Sequence, residues 1–168
     1  MGGLSRRDDM PRYALIESTP RVPDGISCRY SFVDPGQARD HHLLVASFEG
    51  DYPDGSRGNA HGHYIATAAL HGLAAFGADG IVLDFRGLSY RWGNTLLRVF
   101  QDIAQYKDAG AEPGRPGFAV TVVTSDKCRD AFLSLATPPG RPAPAWHFDD
   151  LDQAIDDALA RIDAWFDA

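Results

Sequence analysis

Cysteine is scarce. Only Cys28 and Cys128 occur in 168 residues, too few for the disulfide frameworks of small secreted domains. In Ile26-Ser-Cys28-Arg-Tyr30-Ser-Phe32 the apolar residues alternate, which puts Cys28 on the buried face of a strand. Cys128 shares helical spacing with Ala131, Phe132 and Leu135, so it faces a core as well. Two buried, reduced thiols fit a cytoplasmic location. No apolar run approaches the ~18 residues of a membrane span. The opening residues lack the apolar stretch of a secretory signal, and the Met-Gly-Gly start does not read as an acylation site. Lysine is also rare, two residues against 14 arginines, the codon bias expected of a GC-rich bacterial genome. The basic residues form no stripe, which disfavours nucleic-acid binding.

Several chemical signatures are missing too. Gly55-Ser-Arg-Gly-Asn-Ala lacks the Lys-Ser/Thr ending of a phosphate-binding loop, and there is no Gly-x-Ser-x-Gly elbow. His61, His63 and His71 do not share one helix face at ligand spacing, so no metal and no cofactor is expected.

What remains is an ordinary globular composition, 44% hydrophobic and 23% charged. The length suits one domain. Residues 1–11 are polar and read as a flexible segment, with a single domain over 12–168. The net charge of −7 is concentrated at the end: Asp149–Ala168 holds seven Asp and one Arg.

Hydrophobic patterning predicts strands over Arg12–Glu17, Ile26–Val33, His42–Phe48, Gly80–Phe85 and Phe118–Val123, with a short edge strand at Trp146–Phe148. Gly80–Phe85 is a continuous apolar run, the mark of a strand covered on both faces. Helices are predicted from Asn59 to Phe76, from Asn94 towards Gly110, from Asp126 to Leu135, and over Leu151–Phe166, where the 3.6-residue period is clear. Asn59, Asn94 and Asp126 stand at helix starts as candidate caps. The resulting fold class is α/β: a mixed sheet with a parallel β-α-β-α-β core, N-terminal antiparallel strands, and helices packed on the sheet.

In such sheets, sites gather on the loops leaving the carboxyl ends of the strands. Here those loops are Glu49–Asn59, Arg86–Thr95 and Thr124–Lys127. The candidate binding residues are Ser89, Tyr90, Arg91, Trp92, Asn94 and Thr95, with Asp51, Tyr52 and Arg57 beside them. Trp, Tyr and Arg are the residue types that anchor protein interfaces. The alternative is that Tyr90 and Trp92 merely pack over the next helix. Asp84, at a strand end, is either a base or the acceptor of an Asx turn.

Val82-Leu83-Asp84-Phe85-Arg86-Gly87-Leu88-Ser89-Tyr90, the strand and helix after it, and Phe148-Asp-Asp-Leu-Asp-Gln-Ala-Ile resemble STAS domains, the fold of anti-sigma factor antagonists. The resemblance covers about Arg12 to Phe166. It implies a regulatory domain acting through protein contacts, without catalytic residues. Where that family places Asp-Ser-Ser-Gly, this chain reads Trp92-Gly93-Asn94-Thr95. Asn94 has no hydroxyl to phosphorylate, and Thr95 is the nearest acceptor. A rival resemblance is to the Clp/crotonase-like superfamily, through Leu83-Asp84-Phe85-Arg86-Gly87. It implies a small hydrolase, or a degenerate relative, with Ser125 or Cys128 as nucleophile and Lys127 or a histidine as base. The first reading expects a protein partner, a homodimer being compatible with it, and no nucleic-acid or membrane partner. An inhibitory binder with an acidic last helix shares its features.

Overall fold

The structure is a computed structural model, and it describes residues 12–168. The expected flexible segment, 1–11, lies outside the described residues. Five strands form one open sheet in the order β1-β2-β3-β4-β5: β1 Ile26–Phe32, β2 Leu43–Asp51, β3 Gly80–Ser89, β4 Ala119–Val123 and β5 His147–Phe148. β1 is antiparallel to β2, and every later pairing is parallel. Parallel neighbours need long crossovers, and helices supply them: α1 Asn59–Phe76, α2 Arg98–Lys107 and α3 Arg129–Ala136. A last helix, α4 Leu151–Phe166, closes the chain.

Alternation along the strands builds two cores. Leu44, Ala46, Phe48, Ile81, Leu83, Phe85 and Val122 pack under α1–α3, against residues such as Ile65, Leu73, Val99 and Phe132. Leu43, Val45, Val82, Ala119 and Val123 face the other way, onto Ala154, Ala158, Leu159 and Ile162 of α4. Of the face that the 3.6-residue period marks on Leu151–Phe166, Ala158, Leu159 and Ile162 are buried and Leu151 and Ile155 half-buried, whereas Phe166 is 56% exposed. β3 is the middle strand, between β2 and β4, as its apolar run requires.

Several element ends shift by one to three residues, β2 running on to Asp51 into the expected loop Glu49–Asn59 and α3 starting at Arg129; three further expectations depart from the structure. Arg12–Glu17 is not a strand: it joins no ladder, and Leu15 and Ile16 are 94% and 90% exposed. Asn59, Asn94 and Asp126 are not N-caps. The N-cap residues of α1, α2 and α3 are Gly58, Leu97 and Cys128, and 3-10 turns at Gly55–Gly58 and Asn94–Leu97 lead into α1 and α2. Asn59 instead accepts a hydrogen bond from Thr95, and Asp126 pairs with Arg129. The third departure matters most for the site. β3 continues past Phe85 to Ser89, so the loop after it shrinks to Tyr90–Gly93. The ladder runs from Ser47 opposite Asp84 to Glu49 opposite Gly87. Phe85 and Arg86 thus oppose Phe48 alone, which is a β-bulge.

Candidate functional site

The bulge is held by side chains from three elements. The Asp84 carboxylate accepts from the Arg86 backbone N–H at 3.1 Å, the Asx-type bond considered from the sequence. It also accepts from Arg86 Nε at 2.8 Å, Arg86 Nη2 at 3.0 Å and Ser47 Oγ at 3.0 Å. Ser125 Oγ donates to the Arg86 carbonyl (2.7 Å), and Cys128 Sγ donates to the Phe85 carbonyl (3.2 Å). Burial works against ionised Asp84, but the Arg86 bonds and charge, aided by Ser47, outweigh it and hold its carboxyl below the usual aspartate range.

A depressed folded-state pKa stabilises the fold fully above the ordinary aspartate value, and that contribution fades as pH falls through the depressed one. Asp84→Asn is therefore expected to cost about 1–3 kcal/mol near neutrality. The gap from wild type should narrow below about pH 4 in denaturant titrations. A constant gap from neutral to acid would show that the charge contributes nothing.

Beyond the bulge, β2 and β3 run together to their carboxyl ends, with Asp51 opposite Ser89. Tyr52 N donates to the Ser89 carbonyl (2.9 Å), Gly55 N to the Trp92 carbonyl (3.3 Å), and Tyr90 N to the Lys127 carbonyl (3.3 Å). These bonds tie the three predicted loops into one surface. A recess of about 450 Å³ opens there, bordered by Asp51, Asp54, Arg57, Ser89, Arg91 and Lys127, with Tyr52 and Tyr90 also lining it. The structure thus gathers six of the nine candidate residues around one concavity. Asp54, a polar member of its loop, and Lys127, considered from the sequence as a base, complete its rim.

The aromatic residues divide. Tyr52 and Tyr90 are buried, at 3% and 2% exposure, and their rings meet edge to face at 5.2 Å. Burial pushes both hydroxyls up to about 12. Tyr90 donates its hydroxyl to the Gly93 carbonyl (2.8 Å). These two side chains support the surface from below, and the reading of Tyr90 as a packed residue holds. Trp92 is 61% exposed and lies against Gly55, where an added Cβ would come within 2.5 Å of its indole. Arg91 is exposed and forks onto Asp54, at 2.5 and 3.3 Å. Such an exposed pair adds only about 0–1 kcal/mol to stability, and its role is to fix where the guanidinium sits. Asn94 is exposed, and the Thr95 hydroxyl is engaged with Asn59 Oδ1 at 2.6 Å.

The nucleophile reading finds little support in the geometry. Cys128 is 3% exposed, and burial raises its thiol pKa. Ser125 Oγ is committed to the Arg86 carbonyl and accepts from Lys127 N at 3.3 Å. The sheet is open, not the spiral of stacked turns that the rival resemblance implies. Serine-reactive and thiol-reactive probes are expected to label the folded protein slowly. Stoichiometric labelling within minutes, abolished by Ser125→Ala or Cys128→Ala, would contradict this. His61 is buried with Nε2 3.0 Å from the Asp24 carbonyl, and His63 Nε2 lies 3.0 Å from Arg98 Nη1. Among the described residues no group of three or more His, Cys, Asp or Glu could hold a metal ion. No described helix is long and apolar enough to cross a membrane.

No protein-family model matches the chain, and no curated protein sequence matches it. Among solved structures it is similar to the crystal structure of an anti-sigma factor antagonist from Mycobacterium paratuberculosis. The identity is 18%, the match covers 80% of this chain and 95% of that one, and the TM-score is 0.48.

Proposed function

We propose that the chain is a non-enzymatic, STAS-like regulatory or inhibitory domain that binds a protein partner through the loops at the carboxyl end of β2 and β3. The observation that carries this reading is the juxtaposition of exposed Trp92 and Arg91 with a rigidly floored recess. An exposed indole beside a guanidinium is the composition of an interface anchor. Arg57, Arg91 and Lys127 add positive charge to a rim that also carries Asp51 and Asp54, so the partner's contacting segment would be mixed or acidic in charge.

Immobilised wild-type chain should retain this partner from an extract of the source organism, and Arg57→Glu with Lys127→Glu should lose it. Charge reversal at Asp156 and Asp157, on the acidic last helix, should leave retention intact. Loss through α4 alone would place the interface there and contradict the loop surface.

A further inference from the structure

β1 is an edge strand, paired only with β2. The bonds at the two ends of that ladder fix its alternation: Asp51 N donates to the Gly25 carbonyl (2.9 Å) and Val33 N to the Leu43 carbonyl (3.2 Å). Odd-numbered residues therefore turn their backbone groups to β2, while Ile26, Cys28, Tyr30 and Phe32 turn theirs outward. Among the described residues no backbone group bonds to these four. Only the Tyr64 hydroxyl comes up against the Cys28 backbone, a contact an incoming strand would replace. β1 contains no proline, no lysine and a single arginine, so little blunts its edge. Beside it, between β1 and α1, lies a recess of about 440 Å³ lined by Cys28, Tyr30, Tyr64, Ala68 and His71, with Pro20–Val22 on its lip.

The same chain carries a segment, Arg12–Glu17, that joins no ladder among the described residues. Tyr13, Leu15 and Ile16 are 68%, 94% and 90% exposed, a degree of apolar exposure that a lone chain has no reason to keep. This segment is poorly placed to reach its own β1. Parallel pairing would need a connection of about a dozen residues or more, and 18–25 supplies eight. A tight antiparallel return about the Asp24-Gly25 turn would bring Glu17 opposite Phe32 and carry Tyr13–Ile16 past the strand's end. It would also set Pro20 and Pro23, which have no N–H to donate, along the edge. A wider return is opposed by the connector's path. The Asp24 carbonyl lies 3.0 Å from His61 Nε2, and Pro20–Val22 run beside α1.

We propose that a second copy of this chain supplies the missing strand: Arg12–Glu17 of each copy adds to the outer edge of β1 in the other, as a reciprocal two-fold exchange. Alternation puts Tyr13 and Leu15 on one side of the segment and Ala14 and Ile16 on the other. Either register thus brings an apolar pair into the recess against Tyr30 and Tyr64. Each chain carries −7, but the exchanged segment holds one Arg and one Glu, so charge does not oppose the contact where it forms. The exchange takes place at the β1 edge and does not use the loop surface proposed for the partner.

Sedimentation equilibrium on the wild-type chain and on Leu15→Glu/Ile16→Glu tests this, with hydrogen exchange at the Cys28 and Tyr30 amides. Both substituted positions are exposed in one copy, so the far-UV circular dichroism should not change. Leu15→Ser is the milder variant should the double one misfold. The wild type should be a dimer with both amides protected. The variants should raise the dimer dissociation constant about tenfold or more and release the protection. A monomeric wild type, a dimer that survives the substitutions, or protection that persists in a monomer would each overturn the exchange.

Discussion

Leu83→Ala is expected to cost about 2–5 kcal/mol of folding stability. Leu83 lies in the middle of the central strand, opposite Ala46 on β2 and Val122 on β4, and is fully buried beneath the helices. Strands on both sides restrict the backbone, so the cavity cannot close by a shift of β3 alone. The cost should appear as a lower denaturant midpoint with an unchanged slope. A loss below about 1 kcal/mol would place Leu83 outside the main core.

Gly58→Ala is the second large effect, and it reaches the site. Gly58 ends the 3-10 turn before α1 and is buried. A Cβ there would lie 2.3 Å from the Pro53 carbonyl oxygen and 2.3 Å from Cε1 of Tyr52. The backbone oxygen cannot move aside cheaply, and the ring is confined elsewhere too, since a Cβ on Gly62 would meet the Tyr52 hydroxyl at 2.8 Å. Overpacking of this kind costs about 1–3 kcal/mol. Because Tyr52 packs edge-on against Tyr90, displacing it should also disturb the recess. The change should therefore weaken partner binding beyond the loss of folded fraction. Unaltered stability and binding would show that the turn gives way without consequence.

The strand and helix order was legible because burial has a period. Gly80–Phe85 reads as a doubly covered strand and Leu151–Phe166 as a one-faced helix, and both are so. Features that depend on distant partners were not legible. The bulge at Phe85-Arg86 interrupts the apolar run, so β3 looked complete at Phe85 when it runs four residues further. Candidate caps failed because the helices start elsewhere, after 3-10 turns at α1 and α2 and at Arg129 for α3, and the side chains of Asn59 and Asp126 bond to Thr95 and Arg129 instead. The apolar character of Tyr13–Ile16 suggests a strand, yet among the described residues no strand pairs with it.

At the site, the sequence identified the loops and most of the rim, since residue type and strand ends suffice for that. It could not separate Tyr90 from Trp92, two residues apart in one aromatic cluster. Their fates are decided by the Gly93 carbonyl, which draws the Tyr90 hydroxyl inward, and by Gly55, which leaves Trp92 a flat shelf outside.

The separation of Trp92 from the core lets partner binding be measured apart from folding. Titration calorimetry of the captured partner against wild type, Trp92→Ala and Arg91→Glu, with a melting curve for each, is the deciding comparison. Trp92→Ala should cost binding about 2 kcal/mol or more, and Arg91→Glu should act in the same direction. Both should leave folding stability within about 1 kcal/mol of wild type, because both side chains are exposed. Partner binding as tight to both variants as to the wild type would contradict the account and make the loop a structural element.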